Sequence, residues 1–112
     1  MDLIIDANIL MSALISSYGK NFDLIFNDRL NLSAPEFLFN EIEKHKEEII
    51  DKSGISESEF KLLFSIVSSR INIIPKEEFY DLINKAKTFT PDINDSEYFA
   101  LALYLKCAIW TN

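Results

Sequence analysis

Carboxylate side chains occur at three places in the chain where their neighbours give them a defined position. Asp6 directly follows a short apolar run, Glu41 lies in a segment with helical spacing, and Asp92 and Asp95 flank the start of another apolar segment. Hard oxygen ligands that cluster without histidine or thiolate select Mg²⁺ or Mn²⁺ rather than zinc. Such ions orient water and neutralise the charge that develops on a phosphate. If the fold brings these acids together, they indicate metal-dependent chemistry on phosphate esters.

Two of these places also have an ordinary structural interpretation as helix starts. Aspartate is favoured as a helix N-cap, so Asp6 is equally open to a capping role and to a role as metal ligand. Asp92 and Asp95 could serve only as acids that the dipole of a helix N-terminus favours. Asn94 and Glu97 have the spacing of a capping box. That cap leaves Asp95 unexplained, which makes Asp95 the stronger functional candidate of this pair of acids.

Glu41 lies on the apolar side of its predicted helix. The spacing of Phe37, Leu38, Ile42 and Ile49 marks that side, and Glu41 falls between the first two when viewed down the axis. A carboxylate that points toward the interior is costly unless it is paired or bound to a metal. A position at the rim of the core, with the carboxylate in water, is the alternative.

Composition limits the classes of function. The chain of 112 residues suits one small domain, residues 1–112, and 48% hydrophobic residues suffice for a core. A formal net charge of −7 argues against binding nucleic acid by charge alone, unless metal ions bridge carboxylates to phosphates. The lone Cys107 predicts a buried thiol in a reducing compartment. Without a basic leader or a long apolar stretch, we expect a cytoplasmic protein with no membrane partner.

Strands alternate with helices along the chain. The predicted strands are residues 3–5, 30–33, 71–74 and 108–111, and the predicted helices are residues 8–17, 20–29, 35–51, 56–70, 76–88 and 96–106, with a turn at Thr90-Pro91. This order predicts an α/β fold in three layers, with a four-stranded parallel sheet between helices. We expect the first strand at the centre, flanked by the second and fourth, with the third outside the second. Ligands bind such sheets at the carboxyl ends of the strands, where Asp6 and Asn112 would lie.

Three segments resemble the motifs of PIN-domain nucleases, in the family's order. Residues 3–10 (LIIDANIL) are similar to its amino-terminal signature, an apolar strand followed by Asp-x-Asn and a helix. Residues 92–103 (DINDSEYFALAL) resemble its central motif, in which an aspartate opens a helix rich in alanine and leucine. Residues 108–112 (AIWTN) resemble the strand that carries its last motif. Together with the helical Glu41, the resemblance extends over nearly the whole chain.

The resemblance implies a metal-dependent endoribonuclease that hydrolyses RNA phosphodiesters. By motif position, Asp6, Glu41 and Asp95 would be the catalytic acids and hold Mg²⁺ or Mn²⁺. Asp92 would be a secondary ligand, and two further residues, Asn8 and Thr111, would support the site through hydrogen bonds. Many members of the family are toxins of toxin–antitoxin pairs and many are dimers. The resemblance therefore implies an RNA substrate, an antitoxin protein as partner and a homodimer.

The chain departs from the family pattern after its fourth strand. PIN domains commonly place a fourth acid immediately after the residues that correspond to Thr111 and Asn112, and their final edge strand follows. Neither is found in these 112 residues. We therefore expect weakened nuclease activity. The alternative is a degenerate, non-catalytic PIN-like module that binds another protein.

Other site chemistries find little support in the sequence. A phospho-accepting receiver domain would need an acid at the end of a middle strand, where Leu32-Ser33 and Ile74-Pro75 supply none. His45, the one histidine, lies in a charged helical segment and is expected at the surface rather than as a base. The chain has no glycine-rich phosphate loop.

Overall fold

The computed structural model describes residues 1–90 and 92–111, apart from the side chains of residues 93 and 94. The strands are β1 (Asp2–Ile5), β2 (Asn31–Pro35), β3 (Ile71–Ile74) and β4 (Ala108–Trp110), and the helices are α1 (Ala7–Ile15), α2 (Lys20–Ile25), α3 (Phe37–Lys44), α4 (Lys46–Ser53), α5 (Glu57–Ser68), α6 (Lys76–Phe79), α7 (Ile83–Ala86) and α8 (Ile93–Leu105). The predicted turn at Pro91 and the predicted place of Asn112 lie outside the described residues. No helix in the described part of the chain is long and apolar enough to cross a membrane.

The sheet has the predicted order and direction. Its strands run β3-β2-β1-β4, and every neighbouring pair is parallel. β1 therefore lies between β2 and β4, and β3 lies outside β2, as the sequence predicted. Along the chain, β2 adds to one side of β1 and β3 adds outside β2, and the chain then crosses the sheet so that β4 adds to the other side of β1. The carboxyl ends of β1 and β4 thus form the switch point at which sheets of this kind bind ligands.

Each face of the sheet carries its own core, which confirms the three-layer α/β/α arrangement. Successive strand residues point to opposite faces, so Ile5 enters one core and Ile4 the other, and both are fully buried. Helices α1 to α5 supply the first core, whose helical members include Ile9, Leu10, Ile25, Leu38, Ile42, Ile49 and Phe60. Helices α6 to α8 supply the second, with Phe79, Ile83, Ala86, Tyr98, Ala100 and Leu101.

Two predicted helices are interrupted. The helix predicted for residues 35–51 starts later and breaks at His45 (φ −104°, ψ 12°), which separates α3 from α4. Ile42 and Ile49 are buried on either side of this break, so the apolar spacing did not reveal it. Similarly, residues 76–88 divide into α6, a 3-10 turn at Tyr80–Leu82 and α7. The buried residues of this segment keep a helical spacing across the interruptions.

Pro35 was predicted in a helix and instead ends β2. Its Cα pairs with that of Ile74 in β3, whereas the register with β1 ends at Ser33. Proline cannot donate a backbone hydrogen bond, and this position lies beyond the part of β2 that is paired on both sides.

Local residue types explain where α4 ends and α5 begins. Ser56 and Glu59 form a capping box at the start of α5, with each side chain accepting from the other residue's N–H. Gly54 ends α4 with a φ of 74°, a left-handed conformation that favours glycine.

Helix α8 was predicted to be buried nearly all round, and it is not. Its residues Ser96, Tyr98, Ala100 and Leu101 are buried, but Phe99 and Tyr104 are 37% and 43% exposed. Phe99 reaches the surface at the end of the helix where the acids lie.

Candidate metal and active site

One cleft of about 460 Å³ gathers all the residues that the sequence singled out as a site. Its lining consists of Asp6, Ala7, Asn8, Phe37, Glu41, Asp92, Asp95, Tyr98, Phe99, Ile109 and Thr111. The four candidate acids and the two candidate supporting residues are therefore neighbours in space, although they are spread over more than a hundred positions of sequence. Whether they act as metal ligands remains a prediction.

The sheet explains why the two ends of the chain meet at this cleft. Asp6 directly follows β1, and Thr111 directly follows β4. The last residues of these strands, Ile5 and Trp110, are paired in the parallel register, so the residues after them leave the sheet at the same edge. Asn8 then lies in the first turn of α1, close to the carboxyl end of β1.

Asp6 caps α1, as its structural interpretation predicted. Its Oδ1 accepts a hydrogen bond from the N–H of Ile9 at 3.0 Å. A capping carboxylate has a second oxygen, so the cap and a metal-binding role are compatible. Because the cap fixes the side chain, it also aims the carboxylate at the cleft that Asp6 lines.

The pKa of Asp6 is raised above its ordinary value. Burial is the largest cause, because it disfavours the charged form. The N–H groups of Ile9 and Asn8 act in the opposite direction, and the charge of Asp95 adds a smaller increase. Burial therefore contributes more to the raised pKa than repulsion between the two acids does.

Of the other acids, Glu41 and Asp95 lie on two different helices, and Asp92 lies just before the second of these helices. Glu41 lies on α3, four residues after Phe37, and both line the cleft. Glu41 is partly buried, which is intermediate between the interior position and the water-exposed rim position that the sequence left open. Asp95 lies in the first turn of α8 and is exposed. Asp92 precedes that helix, and its N–H donates to the Thr90 hydroxyl at 3.3 Å.

The acids share the cleft without forming a closed cage. Among the described residues, no three histidine, cysteine, aspartate or glutamate side chains lie close enough together to hold one ion. The donor types suit an oxygen-preferring cation such as Mg²⁺ or Mn²⁺. The spacing of these acids in the structure does not suit one ion, so binding would require movement of their side chains. Exposed Asp95 and partly buried Glu41 have room for such movement.

Sequence reasoning missed the aromatic members of the cleft. Phe37 was assigned only to an apolar face, and Tyr98 and Phe99 only to a buried helix. A usable signal was present, because residues three or four apart on a helix share a face. Tyr98 lies three positions after Asp95, and Phe37 lies four positions before Glu41.

Stability of the metal-free protein should depend on Asp6 and on pH. Between the ordinary pKa of 3.8 and the raised folded value, the folded protein binds more protons than the unfolded chain. The free energy of unfolding therefore falls as the pH rises through this window. We expect Asp6→Asn, which keeps a capping oxygen but no charge, to be more stable than the wild type at pH 7 without metal.

This difference should disappear at a pH well below 3.8, where the wild-type carboxyl is protonated in both states. Urea denaturation of both proteins at the two pH values, in the presence of a chelator, measures it. The control is Asp81→Asn, at an exposed position outside the cleft. If Asp6→Asn were the less stable protein at pH 7, interaction of the charged cap with α1 would outweigh the cost of burial.

Comparison with known proteins agrees with this architecture. No curated protein matched the chain. The family model described as a PIN domain matches residues 4–112, which covers all of the sheet except the first two residues of β1, and every acid of the cleft. The chain therefore belongs to the PIN domain family, whose members are in general nucleases.

Proposed function

We propose that this protein is a metal-dependent endoribonuclease that hydrolyses RNA phosphodiesters. The observation that carries the proposal is the meeting of Asp6, Glu41, Asp92 and Asp95 in one cleft of a PIN domain. Asp6, Glu41 and Asp95 would hold Mg²⁺ or Mn²⁺, with Asp92 as a further ligand. A divalent ion bound there would supply an activated water and neutralise charge on the phosphate.

The charge of the cleft supports a requirement for metal. Four carboxylates that face one space repel a polyanion such as RNA. The chain as a whole is also negative, at −7, so it offers no general attraction to compensate. A divalent cation among the acids would reverse the local sign. Substrate binding and catalysis should therefore both depend on the ion.

Other lining residues have roles that follow from their chemistry. Asn8 and Thr111 carry side chains that can hydrogen-bond to the acids or to a phosphate, and both are exposed at the cleft. Phe99, 37% exposed, presents an aromatic ring on which a base can stack. Base stacking requires unpaired bases, which favours a single-stranded substrate.

A non-catalytic, protein-binding PIN domain is the second candidate. The observation that favours it is the spacing of the acids, since no three described ligands are close enough to hold one ion. The expectation of weakened activity also remains a prediction. By family resemblance alone, we further propose a cytoplasmic toxin that forms a homodimer and is bound by an antitoxin protein.

The deciding experiment is a cleavage assay on an unstructured, end-labelled RNA and on the DNA of the same sequence. We expect internal cleavage of the RNA in Mg²⁺ or Mn²⁺, none in excess chelator, and weaker cleavage of the DNA. Cleavage that survives the chelator would contradict the metal requirement. Absence of cleavage by a protein that binds Mn²⁺ in calorimetry would favour the non-catalytic candidate.

A further inference from the structure

The hydroxyl group of Tyr98 is buried at the acid cleft. The residue is 7% exposed, and its hydroxyl oxygen has no hydrogen-bond partner among the described residues. Tyrosine hydroxyls usually find a partner when they are buried. An unmade hydrogen bond of this kind destabilises a protein, and phenylalanine would fill the same place without that cost. The presence of a hydroxyl group at this position therefore needs a reason other than the stability of the fold.

The position of Tyr98 connects it to the acids of the cleft. It lies on α8 three residues after Asp95, and both line the cleft. Its ring packs edge-on against Phe37 of α3, with 6.4 Å between the ring centroids. Phe37 and Glu41 are four residues apart and so lie on one face of α3. Tyr98 therefore occupies the side of the cleft from which Glu41 projects.

The hydroxyl is a permanent donor in this environment. Burial raises the pKa of Tyr98 well above its ordinary value, and the charges of Glu41, Asp6 and Glu97 raise it further, in that order. The group stays protonated at any physiological pH. The backbone N–H of Ala7 lowers this pKa by the smallest amount of these causes. Because an N–H cannot accept the hydroxyl hydrogen, that hydrogen has no acceptor among the described residues.

The acceptor that suits this donor is a carboxylate of the cleft. The hydroxyl oxygen is sealed from solvent, so a dissolved ligand does not reach it directly. Among the nearby charges, Glu41 has the largest effect on Tyr98. Glu41 is also one of the two acids with room to move toward a shared ion, whereas Asp6 is fixed by its cap.

We propose that Tyr98 is a positioning residue, whose hydroxyl donates a hydrogen bond to the Glu41 carboxylate in the ion-loaded site and holds it toward Asp6. The inference rests on the metal site of the proposed function. The proposal explains the hydroxyl, because the hydrogen bond that it lacks in the metal-free protein would form when the carboxylates move together around an ion. Tyr98 itself does not contact the ion or the RNA.

The test compares Tyr98→Phe with Tyr104→Phe, a tyrosine of the same helix that is 43% exposed and lies outside the cleft. Without metal, we expect Tyr98→Phe to raise the melting temperature by about 3–6 °C, since it removes an unsatisfied buried group. With Mg²⁺, we expect its affinity for the ion to fall about tenfold, the usual worth of a hydrogen bond to a charged group. Tyr104→Phe should change neither quantity.

These two effects have opposite signs, and a merely structural tyrosine would not produce both. A lower melting temperature of metal-free Tyr98→Phe would show that the hydroxyl already has a partner, and would overturn the inference. So would a Mg²⁺ affinity equal to that of the wild type. Melting temperatures measured over rising Mg²⁺ concentration give the affinity without any assay of activity.

A double-mutant cycle with Glu41→Ala identifies the acceptor. In the Glu41→Ala background, no side-chain acceptor is left at this position and Tyr98→Phe should weaken Mg²⁺ binding by less than about twofold. An undiminished tenfold loss in that background would exclude Glu41 as the partner and overturn the proposal. A wild type that shows no response to Mg²⁺ removes the proposed metal site together with this inference. A responsive wild type with an equally responsive Tyr98→Phe removes this inference alone.

Discussion

Replacement of Asp95 by Asn is expected to reduce metal-dependent RNA cleavage by about 10³-fold. The carboxylate of Asp95 supplies both an oxygen and a negative charge to the acid cleft, and the amide of asparagine keeps only the oxygen. Charge stabilisation by a bound metal contributes several kcal/mol to a phosphodiester transition state, and about 4 kcal/mol corresponds to that change in rate. Cleavage of end-labelled RNA under single-turnover conditions measures the effect.

Asp95 makes this experiment easy to interpret because it is exposed at the first turn of α8. Its replacement should change the free energy of unfolding by less than about 0.5 kcal/mol, so lost activity cannot be attributed to lost folding. The matched control is Asp51→Asn, at an exposed aspartate of α4 outside the cleft, which should cleave RNA like the wild type.

Two results would contradict this assignment of Asp95. Cleavage by Asp95→Asn at the wild-type rate would remove Asp95 from the site. Equal loss in Asp95→Asn and Asp51→Asn would point to the overall charge of the protein rather than to a ligand. Partial recovery of Asp95→Asn at high Mn²⁺ concentration is expected, because weakened binding is offset by mass action.

The sheet order and the grouping of the candidate residues in one cleft could be predicted from the sequence, largely because both depend on strand order. Four short apolar runs that alternate with helices leave few arrangements open, and the predicted one was confirmed. Strand order then places Asp6 and Thr111 at one edge, since each follows a strand and the two strands are neighbours. Helical spacing alone placed Glu41 on the side of its helix that meets the cleft.

Distances and helix breaks could not be predicted in the same way. The breaks at His45 and near Tyr80 preserve the spacing of the buried residues, so the periodicity of apolar residues in the sequence does not reveal them. Pro35 is acceptable both in a first helical turn and at a strand end, and only the register with β3 decides between these positions. The separation between acids depends on side-chain rotamers, which leave no pattern in a sequence.

The role of Tyr98 was hidden for a related reason. In the sequence it is one apolar position in a helix full of them, and its ring does belong to the second core. The functional importance of its hydroxyl group can be inferred only from the folded structure, in which Phe37 of α3 packs against Tyr98 of α8 and Glu41 lines the same cleft. Pattern analysis assigns one environment to each residue, whereas Tyr98 has an apolar environment for its ring and an acidic one for its hydroxyl.

Replacement of Phe79 by Ala is expected to lower the free energy of unfolding by about 3–5 kcal/mol, the usual cost of removing a buried phenylalanine ring. Phe79 is 1% exposed and belongs to the second core, beneath α8. A small domain has a total stability of only about 5–15 kcal/mol. Urea denaturation should therefore show a large shift in midpoint, and part of the population should be unfolded at 37 °C.

The neighbouring Tyr80 provides a stringent control for Phe79, because it is an aromatic residue of similar size that is 65% exposed. Tyr80→Ala should cost less than about 0.5 kcal/mol. The milder Phe79→Leu, which keeps most of the buried volume, should fall between the two. Because the second core carries α8, and α8 carries Asp95 and Tyr98, loss of Phe79 should weaken Mg²⁺ binding as well as stability. Equal destabilisation by Phe79→Ala and Tyr80→Ala would contradict the structure, in which the second core packs α8 against the sheet.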